Sequence, residues 1–297
     1  MAETVARQVS KVLFRFRSND TKHSFEDELS KAINMHQIWC APISVQNDPF
    51  DAYPVLTHTP ESEMLEYRNA LRKKYGPKIS ITGNNLANIA KTNGTYNKKL
   101  RKFLASDKAV SSLTPKLIVQ VFQEVRQRAK IACFSEKLDS ILMWSHYANS
   151  HEGVCLEYEC PQKGTGYYVN HRLGSIQYSN VRPRLTELEA IKYLGYANLR
   201  DESFFTEEEH MEVLTRTLLT KSTQWEYERE WRWVEFNNNP NGYTIMLPMK
   251  VKSITVGVRA SDTTIALCKE VIKAGKGVPI YKVKLSDSTF AFEREEI

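Results

Sequence analysis

The sequence predicts an α+β fold: a mostly antiparallel mixed sheet with flanking helices. Apolar and polar residues alternate at period two in VCLEYE (154–159) and in WEYEREWRWVEF (225–236). Extended, the second run puts Trp225, Tyr227, Trp231 and Trp233 on one face and Glu226, Glu228, Glu230 and Arg232 on the other. Turn-rich connections such as NNNPNG (237–242) read as hairpins. Helical stretches fall between strands without the regular βαβ alternation of a parallel sheet. The 297 residues, 41% hydrophobic, are read as a single domain over 1–297 with enough apolar mass for a well-buried core.

In chain order, KVLFRFRS (11–18) predicts the first strand, Phe25 to Ile33 a helix and IWCAPI (38–43) a second strand. Asn47, Asp48 and Pro49 make a turn, rigidified by the proline, with Phe50 expected to plug the core. Thr59 and Pro60 open a helix that Gly76 and Pro77 end. Residues 78–112 are polar and aperiodic and read as a mobile insertion. Thr114 and Pro115 open a helix that leads into the short buried strand IACFS (131–135), and YYVNHRLGSIQYS (167–179) reads as a hairpin. Thr206 and Glu209 have capping-box spacing for a helix to about Leu219. KSITVGV (252–258), a helix over Asp262 to Ala274 and VPIYKVKL (278–285) complete the pattern.

Five cysteines, Cys40, Cys133, Cys155, Cys160 and Cys268, form no CxxC pair, which argues against a disulfide framework or a structural zinc site. The net charge of +6 is mild for this length and fits nucleic-acid contact without demanding it; the basic stretches at 72–78 and 98–102 read first as solvated faces. No apolar run approaches the roughly 20 residues of a membrane span, and the first residues lack a signal-peptide h-region, so a cytoplasmic protein without membrane contact is expected. No GxGxxG or Walker pattern occurs.

Reactive side chains crowd into CFSEKLDSILMWSHYANSHEGVCLEYE (133–159). IACFS as a strand, SILMWSHYA as two turns of helix and VCLEYE as a strand hold Ser135, Trp144, Ser145, His146, Tyr147 and His151 on one compact unit. FRFRS, NDPFD (47–51), CFSE, MWSHYANSHEGVCLEYE and WEYEREWR, in that order, resemble a bacterial family of uncharacterised domain-of-unknown-function proteins discussed beside abortive-infection systems against phage. The resemblance runs over nearly the whole chain, with 78–112 departing from the short linker it implies.

Arg15 or Arg17, Ser135 and the Glu228-x-Glu230 pair look, more loosely, like the arginine, serine, glutamate order of ADP-ribosyltransferases. That likeness implies an ADP-ribosyltransferase-like fold with NAD as substrate. Arg15 or Arg17 would hold its phosphates, Ser135 would support the nicotinamide ribose, and Glu230, helped by Glu228, would stabilise the ribose cation as nicotinamide leaves. Extended, the two glutamates would lie about 7 Å apart on one face, close enough for one to raise the pKa of the other. Trp144 or Tyr147 would stack on the nicotinamide ring, and His146 is a candidate base. The acceptor would be a protein or nucleic acid, in a toxin or phage-defence effector answering to an inhibitory or activating partner.

Two other classes stay open. A metal-dependent nuclease or phosphoesterase would use Asp48, Asp51, Glu228 and Glu230 as oxygen ligands, with His146 or His151 as base. The histidines are five apart, not the i, i+4 pair of an HExxH helix, and NDPFD explains itself as a turn. The last class is a non-enzymatic sensor or partner-binding protein, marked by an exposed apolar patch. Each candidate also has a plain structural role: strand-edge ion pairs for the arginines, a backbone-bonded hydroxyl for Ser135, a solvent-facing strand for the glutamates, packing for Trp144 and His146.

Overall fold

The computed structural model describes residues 12–20, 25–75, 126, 128–160, 172–199, 206–236, 241–275 and 277–297. The expected insertion at 78–112, the helix opened by Thr114 and Pro115, the first half of the 167–179 hairpin and most of the NNNPNG turn lie outside these residues. The strands are β1 (Val12–Arg17), β2 (Gln37–Pro42), β3 (Val55–Thr57), β4 (Ala129–Ser135), β5 (Val154–Glu159), β6 (Leu173–Ser175), β7 (Gln177–Tyr178), β8 (Arg184–Thr186), β9 (Thr220–Lys221), β10 (Glu230–Phe236), β11 (Tyr243–Met246), β12 (Lys250–Val256), β13 (Ile280–Leu285) and β14 (Phe292–Glu296). The α-helices are α1 (Phe25–Asn34), α2 (Glu61–Tyr75), α3 (Ile141–Tyr147), α4 (Glu187–Leu199), α5 (Glu207–Leu218) and α6 (Asp262–Lys273). The class is α+β, and the main sheet is antiparallel except where β12 runs parallel to β13.

The chain divides into two compact units. The first, residues 1–46, 129–180 and 221–297, holds the ten-stranded sheet. β4 carries β10 along one edge over its whole length. Its other edge is shared: β2 pairs at Lys130 and Ile131, and β1 only at Ser135, so β1 and β2 diverge. Beyond β1 the order runs β5, β12, β13, β14.

Directly opposed residues of a sheet share a face, and this fixes what meets what. Phe14, Ser135 and Glu230 are opposed across β1, β4 and β10 and lie on one face. Leu13, Arg15 and Arg17 alternate to the other, with Phe134, Trp231, Leu156 and Tyr158. That second face is covered by α1, through Phe25, Leu29 and Ile33, and by α6, through Cys268 and Val271, in one apolar core. The first face is covered by α3, whose Trp144 is fully buried with its ring edge-on to Phe16 at 5.2 Å.

Local chemistry sets the helix starts. Ser140 caps α3 by accepting from Met143 N, and Ser261 caps α6 by accepting from Thr264 N. The capping box expected at Thr206 and Glu209 is present on α5, in the second unit. Asn149, Ser150 and His151 take three successive positive φ angles, turning the chain sharply from α3 into β5. Gly153 ends that turn because a Cβ there would stand 2.2 Å from the Arg17 carbonyl oxygen.

The second unit, residues 47–128 and 181–220, holds the parallel pair β3–β8 with α2, α4 and α5. NDPFD packs the opposite way from the core-plugging turn its sequence suggests. Asp48 and Asp51 are buried and Phe50 is 61% exposed, its ring lying under the Arg182 guanidinium. The polar residues turn inward because Asp48 Oδ1 accepts from Phe50 N at 2.9 Å and caps the turn. All five cysteines are free thiols. Among the described residues no helix is long and apolar enough to cross a membrane.

Candidate functional site

The segment 225–236 is not one strand. Ser222 accepts from Gln224 N and starts a 3-10 turn over Thr223–Glu228; Arg229, at φ 47°, ends it in the left-handed region, and β10 begins only at Glu230. The period-two reading therefore holds from Glu230 onward. Trp225 and Tyr227 leave the strand face they were expected to share with Trp231 and Trp233.

The break folds Glu228 back beside Glu230, and a cation holds the two. Lys221 Nζ lies 2.6 Å from Glu228 Oε2 and 3.1 Å from Glu230 Oε2. Arg232, one pleat along β10, donates from Nε to Glu230 Oε1 at 2.7 Å and from Nη2 to Oε2 at 3.2 Å. All four groups are buried, so the expected solvent-facing row of carboxylates is replaced by an enclosed network of two anions and two cations. Burial alone would raise Glu230, but Arg232 and Lys221 outweigh it and hold the carboxyl down at about 2. For Glu228 burial wins over Lys221, and its pKa is raised. Lys221 is raised because the two glutamates overcome its own burial.

Backbone contacts fix the turn. Ser135 Oγ donates to the Glu228 carbonyl at 2.6 Å and accepts from Lys137 N, so this hydroxyl clamps the 228–230 bend. Glu230 N donates to Tyr178 Oη at 2.7 Å. Cys133, opposite Arg232, hydrogen-bonds Glu230, and burial followed by that carboxylate pushes its thiol far up. Lys221, Arg232, Cys133 and Tyr178 were not among the expected site residues. The available signal was two glutamates just ahead of an apolar strand, which need facing cations to be buried at all.

Tyr147 links this interior to the surface. It is half-buried on α3, and its hydroxyl donates to Glu228 Oε1 at 2.5 Å. Around it lie exposed His146, 6.3 Å from the rings of both Tyr147 and Tyr227, and half-buried Trp225, 6.1 Å from Tyr227 and 4.7 Å from Lys221 Nζ. Trp144 does not join this rim: its Nε1 donates to the Leu138 carbonyl at 2.8 Å and no ring face is open for stacking.

The structure brings Glu228, Glu230, Ser135, Tyr147 and His146 together, but not Arg15 and Arg17. Those arginines project from the opposite face of the sheet, where Arg17 pairs with Glu28 and Arg15 Nη2 donates to the Trp39 carbonyl at 3.0 Å. A phosphate held by them is separated from Glu230 by the sheet itself. His151 packs on Phe292 at 5.8 Å, and burial, then Arg259, lowers its pKa. Asp48 and Asp51 belong to the second unit. Among the described residues no three His, Cys, Asp or Glu side chains gather as a metal site.

From Tyr147 to Arg232 the network and its rim fall inside one stretch that resembles other proteins. Residues 143–233 match a family described as a protein of unknown function, DUF2971. The match spans α3, β5, the second unit's later elements and the start of β10, and it excludes Arg15, Arg17, Cys133 and Ser135. No curated protein and no solved structure matches the chain.

Proposed function

We propose that this protein consumes NAD, as an ADP-ribosyltransferase or NAD glycohydrolase, at the Tyr147–Glu228 rim. The observation that carries this reading is the Glu228 carboxylate, enclosed by Lys221 and Tyr147, beside aromatic rings that open to the surface. Such rings suit the flat nicotinamide or adenine. As the ribose–nicotinamide bond breaks, its electron pair leaves with the ring nitrogen and the ribose carbon becomes cationic. The enclosed carboxylates favour that charge. The acceptor hydroxyl, from water or a macromolecule, then bonds to the ribose carbon and gives its proton to Glu228, whose raised basicity suits a general base. Glu230, locked between Arg232 and Lys221, is assigned a positioning role instead of the catalytic one expected from the sequence. The resemblance to a family of uncharacterised proteins discussed beside abortive-infection systems supports an effector or toxin acting in phage defence.

The charge balance of the network favours a second reading. Two carboxylates against two cations need no ligand, so the cluster serves equally as a rigid base under an aromatic surface that binds a macromolecular partner. NAD turnover by the purified protein, alone and with cell extract, separates the two. Turnover lost in Glu228→Gln supports the enzyme; no turnover from folded wild-type protein in either setting supports the binding surface.

A further inference from the structure

Where β1 and β2 diverge, α1 roofs a cavity of about 220 Å³ on the sheet face away from Glu228 and Glu230. Arg15, Arg17, Glu28, Leu29, Trp39 and Tyr158 are among the residues that line it. This space holds room for a small organic molecule and not merely one water.

Its charges do not cancel. Arg17 pairs with Glu28, and Lys31 pairs with Asp27 at 2.5 Å, so both carboxylates at the cavity are neutralised. Arg15 is 8% exposed and, among the described residues, has only the Trp39 carbonyl and, at 5.9 Å, the Phe134 ring. No carboxylate among the described residues pairs with it. A buried guanidinium without a counter-ion costs several kcal/mol, which makes an anion from outside the chain the missing partner. The donors for it are present: Arg15 Nη1, Arg17 Nε and the Tyr158 hydroxyl are all buried and have no hydrogen-bond partner among the described residues. Burial raises the Tyr158 phenol to about 12, so its proton is available to donate.

We infer that this cavity binds a small organic monocarboxylate, its two oxygens shared among Arg15, Arg17 and Tyr158 and its apolar body against Leu29, Leu156 and the Trp39 side of the cavity. One net positive charge calls for one negative charge, and a dianion such as phosphate would leave an uncompensated negative charge in the cavity. The planar fork of an arginine matches a carboxylate with two hydrogen bonds. This site stands independently of NAD turnover.

Thermal melting and calorimetric titration of the full-length protein test it, with hexanoate and benzoate as probes and hexanamide, benzamide and inorganic phosphate as controls. The carboxylates should raise the melting temperature with concentration; the isosteric amides should not, and phosphate should bind at least tenfold more weakly. Arg15→Met should weaken hexanoate or benzoate at least tenfold while the ligand-free variant melts no lower than the wild type, because an unpaired charge is gone. Tyr158→Phe, which keeps the charge, should weaken binding severalfold and covers the case in which Arg15→Met does not fold. The inference is overturned if neither carboxylate binds the folded wild type, if binding survives unchanged in both variants, or if phosphate binds as tightly as the carboxylates.

Discussion

Tyr147 donates its hydroxyl to Glu228 Oε1 at 2.5 Å, joining a half-buried residue of α3 to a carboxylate enclosed under the 3-10 turn that precedes β10. Removing that hydroxyl in Tyr147→Phe keeps the ring and its packing. It should lower NAD turnover by about a hundredfold, the low end of the range for a positioned acid–base group, with a loss of stability near 1 kcal/mol. Steady-state kinetics beside urea unfolding checks both halves.

Glu230→Gln leaves Arg232 and Lys221 buried with too little negative charge. Breaking a buried pair in this way costs about 3–5 kcal/mol, and the variant's urea midpoint should fall accordingly. A midpoint within error of the wild type would show that the network relaxes without Glu230.

The same carboxyl sets an acid limit. Glu230 is held at about 2 in the fold against an ordinary 4.5. Its stabilisation, of order 3 kcal/mol, is therefore present in full above about 4.5 and is lost as pH falls through 2. Glu228, raised by burial, has the opposite slope: its stabilising protonation is lost as pH rises. Unfolding measured from pH 6 to pH 2 should show the gap between wild type and Glu230→Gln closing below about pH 4.5.

The class of fold, the first two strands, α1, the capping box at Thr206 and the strand after Glu230 were legible in the sequence because each follows from local chemistry: period, caps and turn residues. Period alone puts Glu228 on the strand, whereas its position depends on Arg229, an ordinary exposed residue at φ 47°, and on the Ser222 cap seven residues before it. Order along the chain groups Arg15 and Arg17 with Glu230, whereas the register Phe14 to Ser135 to Glu230 puts the arginines on the other side of the sheet. Which face a strand residue takes in a ten-stranded sheet depends on partners distant in sequence, and alternation alone leaves the two faces equivalent.

The turn at 149–151 gives a test of stored strain. Ser150 holds φ 52° with Asn149 and His151 on either side also positive. Glycine adopts that region without the Cβ clash, so Ser150→Gly should raise stability by about 0.5–1 kcal/mol net of the added chain entropy. Gly153→Ala has the reverse sign, since its Cβ would meet the Arg17 carbonyl at 2.2 Å, and should lower the melting temperature by several degrees.

The most direct measurement is NAD turnover by the wild type and by Glu228→Gln, both confirmed as folded by circular dichroism and thermal melting. A catalytic Glu228 entails nicotinamide release by the wild type, alone or with cell extract, and at least a hundredfold loss in the variant. Equal turnover by the two proteins would contradict it, and so would no turnover by folded wild type in either setting.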